Sequence, residues 1–156
     1  MPNGSVTLFA AGQYVYVGEN ELGTMGVIDV SDPKYPVQVG INQAPPPLIA
    51  GLYAQGNHVY VANKDRGLRV VDVSDPAVPI EVGSYPLITA SQDVYLVGST
   101  AYAADAVAGL VILDVADPTN PQYLGSAPIP GWAGTVLVSG TIAYLAAGDS
   151  GLQVLD

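Results

Sequence analysis

The sequence contains no cysteine, so disulfide bonds and thiolate metal sites are excluded, although the redox compartment is left open. Basic residues are scarce: four Lys and Arg stand against fourteen Asp and Glu, and the net charge is −10. A field of this sign repels phosphate backbones, so we expect no nucleic-acid partner. No apolar run approaches the roughly 20 residues of a membrane span, so no membrane insertion is expected. The start, Met1-Pro2-Asn3-Gly4, lacks the features of a signal peptide.

A short, mostly apolar phrase that ends in aspartate recurs four times at intervals of about 42 residues. The phrases end at Asp29, Asp72, Asp114 and Asp156. Each unit holds four short apolar runs separated by turn residues, which we name strands a to d. Glycine marks the turn between strands a and b, where a tight hairpin needs positive φ. These glycines are Gly12, Gly56, Gly98 and Gly140. No segment has a helical period, and we predict an all-β chain.

Strand a is apolar on both of its faces, which is typical of a strand covered on two sides. One face carries Leu8, Leu52, Val94 and Val136. The other carries Phe9, Tyr53, Tyr95 and Leu137. Because 49% of the residues are hydrophobic and only 12% are charged, this pattern predicts a packed core rather than a disordered chain.

Paired aspartates follow strand c in the first three units, within Asp-Pro turns. They are Asp29, Asp32, Asp72, Asp75, Asp114 and Asp117. Asp side chains bond their own backbone in turns and Pro ends the strand, so we predict a structural role. The alternatives are a calcium site, which needs six to eight oxygens, and carboxylate pairs for acid–base catalysis. Their repetition in each unit speaks against a single active site, and we predict no metal and no cofactor.

Four regularly punctuated units of this size are typical of β-propeller blades. We place the blades at residues 5–42, 49–86, 91–127 and 133–156 of a single domain. The run Leu110-Val111-Ile112-Leu113-Asp114, with Asp117-Pro118 after it, resembles the LVIVD-repeat family of bacterial and archaeal propeller-type proteins. The resemblance implies a propeller fold and an extracellular or cell-surface location, and it implies no particular activity.

The fourth unit stops at the end of strand c, so its blade is expected to lack strand d, and residues 1–4 are too few to supply it. Neither terminal unit has a polar outer face, and an array of blades needs ring closure or capped ends. We expect two copies to close an eight-bladed ring as a homodimer. The alternatives are a closed four-bladed monomer and a piece of a longer ring; a stop in phase with the repeat also fits a designed or truncated chain.

Function on a repeated scaffold is expected in what does not repeat, here the b–c loops and the d–a connections. In propellers both loop sets share one face, around the mouth of the central channel. An aromatic and acidic set is predicted to form a binding site there for a protein, peptide or glycan. Its members are Glu19, Glu21, Asp65, Arg66, Tyr85, Asp105, Trp132 and Asp149.

Two classes of function remain open from the sequence. The first is a non-enzymatic scaffold that associates with itself and binds a partner at the channel face. The second is a hydrolase- or lyase-type enzyme with Asp and Tyr side chains converging in the channel. The single histidine, His58, has no counterpart in the other units, and we predict a surface residue there. We favour the first class and expect no catalytic residue.

Overall fold

The computed structural model describes residues 5–19, 23–43, 48–87 and 89–156. The chain is all-β, as the repeat predicts, and it forms four antiparallel sheets in sequence order. A short 3-10 turn, Gly148–Ser150, lies in the fourth sheet. The described part of the chain holds no helix with the length and hydrophobicity that a membrane crossing needs.

Each sheet is a meander of neighbouring strands. Strand a is innermost, because the first strands of successive blades pack on one another, and each later strand lies further out. The first two blades contain β1 Ser5–Ala11, β2 Tyr14–Glu19, β3 Thr24–Asp29, β4 Val37–Gln43, β5 Ile49–Gln55, β6 His58–Asn63, β7 Gly67–Asp72 and β8 Ile80–Tyr85. The last two contain β9 Ser91–Val97, β10 Thr100–Asp105, β11 Gly109–Asp114, β12 Gln122–Ala127, β13 Thr135–Ser139, β14 Ile142–Ala146 and β15 Leu152–Leu155. The fourth sheet has three strands, in the order β13-β14-β15.

Turn chemistry fixes the register of each hairpin. The a–b turn of all four blades places its glycine at a φ between 59° and 62°, the left-handed region that L side chains rarely adopt. Pairing of strand c with strand d shifts at one equivalent place in three blades. The shifts fall between Val27 and Ile28, between Val70 and Val71, and between Ile112 and Leu113. The repeat in sequence is therefore a repeat in hydrogen-bond register.

Neighbouring blades pack face to face through three buried apolar clusters. We call the face that carries Leu52 in the second blade the front face, and the opposite face, which carries Tyr53, the back face. The front face of the second blade packs on the back face of the first, around Leu52, Tyr16 and Met25. Equivalent clusters join the second blade to the third and the third to the fourth. Three copies of one joint thus account for the core.

An aromatic ladder crosses the first three blades close to the inner strands. The ring centroids of Phe9 and Tyr53 lie 4.6 Å apart, and those of Tyr53 and Tyr95 lie 5.0 Å apart. Tilted and edge-to-face contacts at such distances stabilise a fold beyond the apolar area that they bury. Leu137 holds the equivalent position in the fourth blade.

The two ends of the array leave the two halves of a joint uncovered. Leu8 is 67% exposed on the front face of the first blade, whereas its counterpart Leu52 is 5% exposed. On the back face of the fourth blade Leu152 is 65% exposed, whereas its counterpart Met25 is 1% exposed. Strand β1 packs on β5, β5 on β9 and β9 on β13, and in the described ranges no comparable packing joins β13 to β1. The four blades form an open arc.

Candidate functional site

The b–c loops and the d–a connections lie side by side at one end of the blades. Backbone hydrogen bonds join each connection to the loop of the blade that it enters. The N–H of Lys64 donates to Leu48 O over 3.0 Å, that of Ala106 to Ala90 O over 2.9 Å, and that of Gly134 to Ala146 O over 2.8 Å. In the second, third and fourth blades, one end of the array therefore carries a loop and a connection in pairs, and the predicted residues Asp65, Asp105 and Trp132 lie on them.

Asp105 is fully buried within this end, and its carboxylate holds two loops together. It accepts the N–H and the hydroxyl of Thr89 from the d–a connection. It also accepts the N–H groups of Val107 and Ala108 from its own loop, over 3.1 and 2.9 Å. Burial acts to raise the pKa of Asp105, but the hydrogen bonds outweigh it and the pKa lies below its usual value. Its oxygens are engaged by the loop backbone rather than aimed outward.

Trp132 is half exposed and lines an apolar cleft of about 420 Å³ in the fourth blade. The indole lies against Gly134, where an added Cβ would be 2.8 Å from a ring carbon. Gly148 and Leu152 also line the cleft. Asp149 is exposed in the adjacent 3-10 turn. An aromatic ring beside an apolar hollow with an acidic edge is an arrangement that binding surfaces use.

The remaining predicted residues are distributed over the first two blades. Glu19 accepts the hydroxyl of Thr24 over 2.9 Å. Asp65 and Arg66 are exposed in the tight loop after β6. Tyr85 packs partly buried against the cluster between the second and third blades. Glu21 lies outside the described residues. Trp132 and the fourth-blade loop share one cleft, and the other described residues lie apart from it, at strand ends or in other loops.

The aspartates after strand c bond the backbone of their own turns. In the first of each pair, Asp29, Asp72 and Asp114, the carboxylate accepts the N–H two residues ahead over 2.7 to 2.9 Å. Asp32, Asp75 and Asp117 do the same over 2.9 to 3.0 Å. The N–H groups of Ser31 and Ser74 lower the pKa of Asp29 and of Asp72, and the Thr119 hydroxyl and N–H lower that of Asp117. In the described ranges no three acidic or histidine side chains cluster as cation ligands.

The opposite end of the blades carries clefts between neighbouring a–b turns. One of about 520 Å³ lies between the first and second blades and includes Tyr14 and Tyr16. Another of about 310 Å³ lies between the second and third and includes His58 and Tyr60. Because the two clefts are equivalent by the repeat, they are a property of the joint rather than one special site.

Asp93 is a site residue that the sequence analysis did not single out. It lies on the inner strand β9, and its Oδ2 accepts the N–H of Val136 on β13 over 3.1 Å. On its other side it lies against Gly51 on β5, where an added Cβ would overlap the carboxylate. One side chain therefore touches three consecutive inner strands. A comparison of the units could have found it, because Thr7, Gly51 and Thr135 fill the equivalent positions.

Burial raises the pKa of Asp93, and the N–H groups of Val136 and Val94 oppose the rise only in part. The folded protein thus disfavours the charged form relative to the unfolded chain. Asp93→Asn keeps an oxygen that can accept the Val136 N–H but removes the buried charge. We expect a melting temperature higher by about 2–4 °C at pH 7.

This advantage should shrink as the pH falls towards the unfolded pKa of the carboxyl, where the native protein also holds a neutral side chain. Thermal melts of both proteins between pH 3.5 and 7 measure the difference. Equal melting temperatures at pH 7 would mean that the Asp93 carboxylate is not destabilised by its surroundings.

The fold and the repeated joints define a β-propeller built from four blades. The model of the LVIVD repeat matches residues 6–43, 50–86, 90–127 and 130–156, and the chain therefore belongs to the LVIVD-repeat family. No curated protein matches the chain.

Two solved structures of computationally designed proteins are similar in fold. Ika4 is 15% identical, with a TM-score of 0.82 over 99% of this chain and 92% of that chain. Ika8 is 14% identical, with a TM-score of 0.72 over 97% of this chain and 45% of that chain.

Proposed function

We propose that this protein is a non-enzymatic repeat scaffold that closes an eight-bladed ring by head-to-tail association of two copies. The observation that carries the proposal is the exposure of Leu8 at one end of the arc and of Leu152 at the other. These positions are buried at the three joints within the chain. The front face of the first blade and the back face of the fourth are the two halves of the same joint. Contact between these two faces would repeat the packing that already joins neighbouring blades within the chain.

The gain from covering these faces is large compared with ordinary surface contacts. Leu137, Leu152 and Val154 are each at least 50% exposed on the back face of the fourth blade. Burying one aliphatic side chain of this size contributes roughly 1.5–3 kcal/mol. Contiguous exposed apolar surface of this kind marks an association site in a soluble protein. A two-fold ring forms the joint twice, so each copy covers both of its ends.

Closure by two copies is favoured over closure by one because the first and fourth blades of one chain do not pack on each other. Three joints leave β1 and β13 without the packing that joins neighbouring inner strands elsewhere. A fold of this kind also occupies only 45% of the longer Ika8 chain, so the curvature of these four blades is compatible with a larger array.

The loop-bearing end of such a ring would present two copies of Trp132 with Asp149 in the adjacent turn, whereas Leu152, which lines the cleft, would be covered by the joint. An exposed indole with an acidic side chain beside it suits a protein, peptide or glycan ligand. The alternative class, a hydrolase- or lyase-type enzyme, has one supporting observation in the raised pKa of Asp93. That carboxylate binds the backbone of the next inner strand, which favours a structural role.

The test is the solution mass by light scattering on a sizing column. We expect about twice the 16.0 kDa of one chain, unchanged on dilution through the micromolar range. A 16.0 kDa particle that melts cooperatively would overturn the dimer in favour of closure by one chain. A broad distribution of large assemblies would also overturn it, since open head-to-tail addition does not stop at two.

A further inference from the structure

The cleft between the first and second blades recurs in position at the next joint, but its lining does not recur. It has a volume of about 520 Å³, against about 310 Å³ for the cleft between the second and third blades. Strand b begins with Tyr14 at the first cleft and with His58 at the second. The first cleft is therefore well within the roughly 300–1,000 Å³ of small-molecule sites, and it has a second phenol that the other cleft lacks.

Tyr16 lines this cleft and carries a hydroxyl that has no partner. The residue is only 4% exposed, and its ring packs in the apolar cluster between the two blades. No described residue forms a hydrogen bond with the hydroxyl, and it is not sealed from solvent, so it opens on the cleft. Burial raises the pKa of Tyr16, and the nearby phenol of Tyr14 raises it further, so the hydroxyl stays protonated at neutral pH. Because buried phenols normally have a hydrogen-bond partner, this one points to a ligand that supplies it.

Both blades add neutral polar groups to the lining. In the first blade, the side-chain N–H of Gln13 donates to the hydroxyl oxygen of Tyr14 over 3.0 Å. The O–H of Tyr14 and the amide oxygen of Gln13 remain able to bond a ligand. In the second blade, the carbonyl oxygen of Asn57 accepts the N–H of Val73 over 2.8 Å, which holds the a–b turn in place. The exposed side-chain amide of Asn57 can both donate and accept.

Every described residue that lines the cleft is uncharged, although the chain carries a net charge of −10. Phenol and amide groups suit the hydroxyl groups of a ligand, and the phenol rings with Val73 and Pro76 suit an apolar ring face. A charged ligand would lose water here without meeting an opposite charge. We infer that this cleft binds a neutral sugar, with the Tyr16 hydroxyl as a donor to it. The lining belongs to one chain, so the inference goes beyond the proposed ring and does not depend on it.

The test is an NMR titration of the isotope-labelled full chain with monosaccharides. The probes are glucose, galactose, mannose and N-acetylglucosamine, with glucuronate as the charged counterpart. We expect at least one neutral sugar to shift the side-chain amide signals of Gln13 and Asn57, with a Kd of about 1–10 mM. Glucuronate should bind at least about fivefold more weakly, because the cleft offers no cation and the acidic chain repels an anion. Methyl glycosides separate the two sources of this chemistry: equal affinity points to a sugar unit of a glycan, and binding of the free sugar alone points to a monosaccharide.

Tyr16→Phe removes the hydroxyl and keeps the buried ring. Since no described residue bonds that hydroxyl, the melting temperature should stay within about 2 °C of that of the native protein. The affinity for the sugar should fall about fivefold or more, because a hydrogen bond of the complex is lost. Tyr60→Phe is the matched control, since Tyr60 is the equivalent residue at the second cleft and is also 4% exposed. It should leave the Kd measured at Gln13 unchanged.

The inference would be overturned if no neutral sugar shifts these signals up to about 50 mM, or if Tyr16→Phe binds as tightly as the native protein. Shifts centred on the indole of Trp132 would place the sugar at the loop-bearing end and would also overturn this site. A chain that is monomeric by light scattering should give the same Kd as a dimer, because the lining lies within the first joint. Failure of ring closure and failure of the sugar site are therefore separate results.

Discussion

Leu8→Asp should convert the proposed dimer into a folded monomer. The substitution places a carboxylate at the centre of a face that would otherwise pack on Tyr144, Leu152 and Val154 of the second copy. Burial of an unpaired charge costs several kcal/mol, and a two-fold ring would incur that cost twice. We expect the dissociation constant to rise by about 100-fold or more. Light scattering measures the mass, and thermal melting with circular dichroism confirms that the monomer is folded.

The matched control is Ile80→Asp, since Ile80 is also an exposed aliphatic residue, 56% accessible, but lies on the outer strand β8. It should leave the mass at that of the dimer. A Leu8→Asp protein that stays dimeric would show that the copies associate through another surface.

A charge exchange tests the head-to-tail arrangement itself. Leu8→Asp and Leu152→Lys should each be monomeric alone, because each would bury an unpaired charge at both joints. Mixed together, they should form a heterodimer in which one joint carries the opposite charges and the other retains both leucines. If the mixture stays monomeric while both variants are folded, the two faces do not meet. A face-to-face pairing of two first blades would likewise gain nothing from mixing.

The sequence was sufficient to predict four all-β units because strand pairing and turn chemistry are local. A glycine at the left-handed turn position, such as Gly56, and an Asp-Pro after strand c mark the ends of strands without reference to the rest of the chain. Apolar residues on both faces of strand a predicted that blades are covered on two sides. On the front face Leu52, Val94 and Val136 are each no more than 5% exposed, and on the back face Tyr53 and Tyr95 pack partly buried against the next blade, whereas Leu137 of the fourth blade is exposed.

The rotation between blades could not be read from the sequence. Leu8 has the same chemistry as Leu52, yet its exposure differs because burial at a joint depends on whether a neighbour is present. Whether the four blades close into a ring therefore depends on the rotation from each blade to the next. It arises from the packing at each joint summed over the chain, and no single residue encodes it.

Contacts between loops could not be predicted from the sequence either. The sequence placed Asp105 at an acidic rim because it lies in a b–c loop that differs between units, but Thr89 approaches it from a connection 16 residues earlier in the chain. A buried carboxylate surrounded by N–H donors is stabilised as part of the loop scaffold. The position is unique to the third blade, since Asn63 and Glu19 occupy it in the preceding blades.

Asp105→Ala should lower the free energy of unfolding by about 3 kcal/mol and the melting temperature by roughly 6–12 °C. The change removes the acceptor for the N–H groups of Thr89, Val107 and Ala108 in a place that is inaccessible to solvent. Buried donors left without partners lose more than the bond itself contributes, because water no longer solvates them. Chemical and thermal unfolding of the two proteins at pH 7 measure the effect.

Asp149→Ala is the control, since Asp149 is an exposed acidic residue in the equivalent loop of the fourth blade. We expect its free energy of unfolding to change by no more than about 0.5 kcal/mol, the usual range for surface substitutions.

The pH dependence of stability distinguishes a hydrogen-bonded carboxylate from a side chain that contributes only by packing. Because the folded pKa of Asp105 is lowered, its contribution is complete above the unfolded pKa and is lost as the pH falls through the folded one. The difference between native protein and Asp105→Ala should therefore narrow below about pH 4. If the difference in the free energy of unfolding stays constant down to about pH 2, the loss of stability comes from the missing side-chain volume. The loop that carries Asp105 would then be stabilised by packing rather than by the charge of the carboxylate.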